Sequence, residues 1–166
     1  DSNGYVNSAL CACDFILAHH PDRIHLKEMQ ALYLAALGEY AESAKKFDHL
    51  LDLVETGGDS DEVLRVARLA CERVPKSDLL ANRLVEALFN SPNATLHIEE
   101  LLGFVQKFKG AAQLKDARVL LERMVRTFEG NVELAFALVD LQIEEGNTLD
   151  AGRTLRQIAE RSEVSD

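Results

Sequence analysis

Ala36-Leu37-Gly38-Glu39-Tyr40-Ala41-Glu42-Ser43-Ala44-Lys45-Lys46-Phe47 is the stretch whose reading decides the fold. Gly38 separates two runs of apolar residues and supplies the backbone freedom that a tight turn needs. After it, Ala44, Phe47, Leu50, Leu51 and Val54 recur three and four apart, which is one face of a helix. Ser43 and Ala44 are small, and small side chains at a contact let two helix axes come close. The stretch therefore reads as the end of one helix, a short turn, and the start of a second helix packed back on the first.

Working outward, the same pattern returns at a period of 34. That shift pairs Val105 with Val139, Asp116 with Asp150, Ala117 with Ala151 and Leu121 with Leu155. It also pairs Phe104 with Leu138, Ala112 with Gly146 and Met124 with Ile158, and at the other end Gly4 with Gly38 and Ala9 with Ser43. Self-similarity at such a period is the mark of a stacked helical repeat. Breaks at Gly38, Gly57-Gly58, Pro75, Asn90-Ser91-Pro92-Asn93, Gly110, Gly130 and Gly146 divide the chain. They predict helices over 5–20, 23–37, 40–56, 60–74, 77–90, 95–109, 113–128, 132–145 and 149–162. Asp59 with Glu62 and Asn147 with Asp150 are spaced as helix-start caps. Links this short force antiparallel neighbours, and β-branched residues do not cluster in alternating, strand-like runs. The expected architecture is all-α, a right-handed αα-superhelix of about nine antiparallel helices.

The segment from Ala36 to Phe47 resembles the middle of a tetratricopeptide (TPR) repeat, and Glu145-Gly146-Asn147-Thr148-Leu149-Asp150-Ala151 repeats the pattern with Leu155 in the Phe place. Ala112 to Leu121 is a weaker copy. Lys27 stands where a large apolar residue is expected, and the pair at 60–90 is divided by Pro75 without a Gly-aromatic turn. The resemblance implies one TPR-like domain over 1–166, with 5–20 a half repeat or cap, 23–56 a repeat, 60–90 a divergent pair, and 95–128 and 132–162 repeats. Ser43 and Ala117 lie 74 apart, two periods plus six residues, and the connections at 57–60 and 90–95 are expected to hold the extras. Because Gly4 aligns with Gly38, helix 5–20 corresponds to the second helix of a repeat. Its Val6, Leu10, Phe15, Ile16 and Leu17 suit a segment stacked on a neighbour better than the polar face of a cap, so the chain is expected to be a piece of a longer array.

Composition narrows the function. The chain of 166 residues carries a net charge of −10, with residues 1–60 holding 10 acids against 4 bases and residues 111–166 holding 11 against 7. Such a charge repels a phosphate backbone, so the expectation is no nucleic acid, and helical-repeat RNA readers of similar period are set aside. No apolar run approaches the roughly 18 residues of a bilayer span, so no membrane insertion is expected and the compartment is read as cytoplasmic. Cys11, Cys13 and Cys71 have no regular spacing and read as buried free thiols rather than a disulfide framework.

Catalytic patterns are missing. His19, His20 and His25 cluster around Pro21, but His20 and His25 are five apart across a break, a poor spacing for metal ligands. Asn93-Ala94-Thr95 fits the N-glycosylation pattern, which carries meaning only in a secreted protein. No enzyme, no metal and no cofactor are expected. The TPR resemblance implies that the first helix of each repeat lines a concave groove. Carried over, the groove residues are His25, Glu28 and Leu32; Glu99, Leu102, Gln106 and Lys109; and Glu133, Phe136, Asp140 and Glu144. Apolar anchors with an acidic surround suit a basic or amphipathic partner segment. The carboxylate clamp that some TPR domains close on heat-shock chaperones does not fit Glu28, Glu99 and Glu133. The expectation is a protein-binding scaffold whose partner is another protein or peptide. The alternative is a structural segment that self-associates through helix 5–20.

Overall fold

In the computed structural model, secondary structure is described for residues 2–163 and side chains for 4–160. The described residues form nine α-helices and no strand, so the chain is all-α. They are α1 (Ser2–His19), α2 (Ile24–Ala36), α3 (Tyr40–Thr56), α4 (Ser60–Arg73), α5 (Asp78–Asn90), α6 (Ile98–Gly110), α7 (Leu114–Thr127), α8 (Val132–Glu144) and α9 (Thr148–Glu163). A 3-10 turn, Ala94–His97, precedes α6.

Where the repeat reading draws one domain, the chain divides into two compact units, Asp1–Ala94 and Thr95–Asp166. Within each unit every helix packs on its sequence neighbours, and in the first α3 also packs on α5. The α3–α4 link is only Gly57–Asp59, and α3 runs 17 residues. The long connection is Ser91 to His97, between α5 and α6.

The first unit closes on Phe47, Leu50 and Leu51 of α3, Val66 of α4, and Leu80 and Leu88 of α5, all almost wholly removed from water. In the second unit Leu101, Leu121, Met124, Leu134 and Leu141 play the same part. Each such side chain contributes about 1.5–3 kcal/mol through burial, and sequence neighbours supply the cover because a lone amphipathic helix has none. The small residues behave as the pattern requires. Ser43 and Ala117 are completely buried and Ala151 nearly so. Ser43 Oγ donates to the carbonyl of Ala31 at 2.8 Å, a buried bond that ties α3 to α2.

One turn geometry recurs three times. Gly38 N–H donates to Ala35 O and Glu39 N–H to Leu34 O; Gly146 N–H to Ile143 O and Asn147 N–H to Gln142 O; Ala112 N–H to Lys109 O and Gln113 N–H to Phe108 O. This is a helix-ending motif that needs a left-handed residue after the last turn. Gly38 (φ +83°) and Gly146 (φ +76°) adopt it freely, whereas Ala112 (φ +58°) adopts it with a Cβ present. The starts of helices are equally local. Asp59 accepts from Asp61 N–H and Glu62 N–H, Ser77 from Leu80 N–H, and Asn131 from Leu134 N–H. Asn147 departs from the expected cap, since its side-chain amide donates to Asp150 Oδ2 at 2.5 Å.

Candidate partner-binding face

Three interhelical ion pairs, each between residues about one period apart, decide which charges are open to a guest. In the first unit Arg65 of α4 reaches Glu28 of α2, with Nη2 at 2.5 Å from Oε2, and it also holds Glu62 at 2.8 Å. The Glu28 side chain is left only 14% exposed. The hydrogen bond from Arg65 holds the Glu62 carboxyl below its ordinary range against the opposing effect of burial, and the nearby positive charge adds to it. The guanidinium of Arg65, bonded first by Glu62 and then by Glu28, is held more firmly protonated than usual. Arg83 of α5 faces Asp48, Asp52 and Glu55 of α3, with its Nε 3.0 Å from Asp48 Oδ1. In the second unit Lys109 of α6 sits 2.9 and 2.8 Å from the two carboxylate oxygens of Glu144 on α8.

These pairs change the expected acidic groove. In the first unit Glu28 is occupied by Arg65, Leu32 is half-buried, and only His25 stands fully exposed. In the second unit, Glu99 and Gln106 of α6 are exposed, and Leu102 is half-buried. On α8, Glu133, Phe136 and Asp140 are exposed at helical spacing along one stripe. Phe136 keeps 49% of its surface in water. The Lys109–Glu144 pair brings the C-terminal ends of the α6 and α8 stripes together. Glu99, Glu133 and Asp140 therefore remain as open carboxylates, while Glu28 and Glu144 do not. Sequence reasoning missed Arg65 and Arg83, although the spacing of opposite charges by 35 to 37 residues (Asp48 to Arg83, Lys109 to Glu144, Glu28 to Arg65) held the signal.

The other sequence candidates are placed as follows. His20 and His25 are exposed, and His19 Nδ1 lies 2.9 Å from the carbonyl of Phe15 within its own helix. Among the described residues, no group of three His, Cys, Asp or Glu side chains is arranged to hold a metal ion. The thiols require a correction. Cys13 is buried, and burial, with the neighbouring Asp14 charge, pushes its thiol up, but Cys11 is exposed and Cys71 only partly covered. Cys11 faces outward because its place on α1 lies opposite α2. Among the described residues no helix is long and apolar enough to cross a membrane.

No family model and no curated protein matches the chain. Among solved structures it is similar to the human IFIT1 dimer with PPP-AAAA, at 20% identity and a TM-score of 0.30. It is also similar to a monomeric mutant of IFIT1 with Gppp-AAAA, at 18% identity and a TM-score of 0.29. Both matches cover 95% of this chain and 41% of the other, so the chain spans about two-fifths of the length of the structures it matches. These matches correct one expectation. Net acidity is the ground for setting nucleic acid aside, yet both matched chains hold a nucleic-acid ligand, so that exclusion does not stand.

Proposed function

We propose that the chain is a non-catalytic binding scaffold that presents the α6/α8 face of its second unit to a basic, amphipathic segment of a partner protein. The observation that carries this reading is Phe136, half-exposed on α8 with the open carboxylates Glu133 and Asp140 one turn to either side. An exposed aromatic in a polar rim is the usual form of an interface anchor, and the flanking charges select a cationic guest. Leu102 and Glu99 of α6 stand one period before Phe136 and Glu133, as the α6 counterparts of the anchor and its acidic rim.

A fluorescent Lys/Leu amphipathic peptide of about 20 residues, long enough for five helical turns, tests the reading by anisotropy. Phe136→Ala is expected to weaken binding about tenfold or more, the scale of an interface anchor, and Glu133→Lys with Asp140→Lys to abolish it at low salt. A 5′-triphosphate oligoadenylate is titrated in parallel. Binding of that oligonucleotide, together with no binding of the peptide, would replace the protein-partner reading with a nucleic-acid one.

A second reading is favoured by α1, where Tyr5, Phe15 and Ile16 are 81%, 69% and 39% exposed. Self-association through this helix would cover them. Sedimentation of the chain and of Phe15→Glu distinguishes the two readings: a concentration-dependent dimer lost in the variant supports self-association, and a monomer at high concentration removes it.

A further inference from the structure

Unit one carries a cleft of about 500 Å³ between the start of α3 and the turn that joins α4 to α5. Its walls are Tyr40, Ala41 and Ala44 on one side and Val74, Pro75 and Lys76 on the other. The volume falls within the range of small-molecule sites, which are mostly apolar with a few polar groups that fix orientation. The walls fit that description. Val74 and Ala44 are buried, and Tyr40 is 54% exposed.

Two polar groups are available there, the Lys76 ammonium and the Tyr40 hydroxyl, and neither is engaged in a hydrogen bond or ion pair among the described residues. Ser77 also lines the cleft; its hydroxyl oxygen accepts from the Leu80 amide at 3.3 Å, which leaves its O–H as a further donor. Lys76 is the one charged residue of the lining. A single cation complements a single negative charge. A phosphate dianion would leave one charge unmatched near the carboxylates of Glu39 and Glu42, which lie on either side of Tyr40 and Ala41 in sequence.

We propose that this cleft binds a small amphipathic carboxylic acid, with an aliphatic or aryl-alkyl body of roughly eight to twelve carbons against Val74, Pro75 and Ala44 and its carboxylate toward Lys76 and Tyr40. The site belongs to the first unit and does not depend on the reading given for the second.

Calorimetric titration of the full chain with octanoate, and separately with octan-1-ol, tests it. Octanoate is expected to bind saturably at one molecule per chain and more tightly than the alcohol. Lys76→Met keeps the apolar stem and removes the charge; it is expected to weaken octanoate about three- to fivefold, as for a partly exposed ion pair, and to leave the alcohol unchanged. Ala41→Trp, at an exposed wall position, is expected to block both ligands, with circular dichroism confirming unchanged helix content. The proposal is overturned if octanoate does not saturate the wild-type chain, or if Lys76→Met weakens the alcohol as much as the acid. It is also overturned if octanoate binding survives Lys76→Met undiminished.

Discussion

Ala112 and Gly146 occupy equivalent turns of the second unit, and exchanging their residue types should move stability in opposite directions. Both residues lie in the left-handed region, at φ +58° and +76°. An L-residue with a Cβ costs about 1–2 kcal/mol there, while a glycine's larger unfolded-state freedom costs roughly 0.4–1 kcal/mol in return. Ala112→Gly should therefore stabilise the unit by about 0.5–1 kcal/mol, the difference of those two effects. Gly146→Ala should destabilise it by a similar amount. Nothing lies within 4 Å of a Cβ built on Gly146, so its penalty is purely conformational and is not confounded by a clash. For a unit of this size, 1 kcal/mol moves the thermal midpoint by about 4–8 °C. Differential scanning calorimetry of both variants and of the double variant reads the effect, the double variant returning near the wild-type midpoint. A lower midpoint for Ala112→Gly, or a higher one for Gly146→Ala, would refute the argument that one backbone motif ends both helices.

Ser43→Leu forces a larger side chain into a fully buried contact and removes the bond to Ala31 O; it should cost the first unit about 3 kcal/mol or more in urea unfolding, and Ser43→Ala no more than about 1 kcal/mol. Glu62, whose carboxyl is depressed chiefly by its hydrogen bond from Arg65, adds stability that is present above its ordinary value of 4.5 and lost as pH falls through the depressed one. Glu62→Gln should therefore have a lower urea midpoint than wild type at neutral pH, and the gap should close in acid; a gap that persists undiminished would contradict the ion pair. In the folded chain a thiol reagent should modify Cys11 rapidly, Cys71 slowly and Cys13 only on opening of the helix pair, as followed by mass spectrometry of timed digests.

Helices and turns were legible because they rest on local chemistry. Gly38 and Gly146 end helices by backbone freedom, and Asp59 starts α4 by accepting amides two and three residues ahead, all within a few residues of sequence. The contacts between small residues were legible too, since Ser43, Ala117 and Ala151 hold the same place after their turns at Gly38, Ala112 and Gly146, and all are buried. The charge state of the candidate face was not. Whether Glu28 or Glu144 is open depends on Arg65 and Lys109, 37 and 35 residues away, and a pattern read along one helix does not contain them. The division at Ala94 falls beside the Asn90-Ser91-Pro92-Asn93 break, but nothing in that local pattern sets it apart from the breaks inside each unit. Cys11 and Cys13 show the limit at its smallest scale: two residues apart on one helix, they face water and the interior respectively.

The pair formed by Lys109 and Glu144 takes one acid of the second unit's face out of play. A guest's ammonium or guanidinium that arrives at Glu144 meets an acid already claimed, whereas Asp140, one turn earlier, and Glu133, near the start of α8, stand open, two turns or roughly 10 Å apart along the axis. A segment with two cations at that interval seats on Glu133 and Asp140, whereas a third cation one turn further on gains nothing at Glu144, so the face limits how long a run of positive charge it can match.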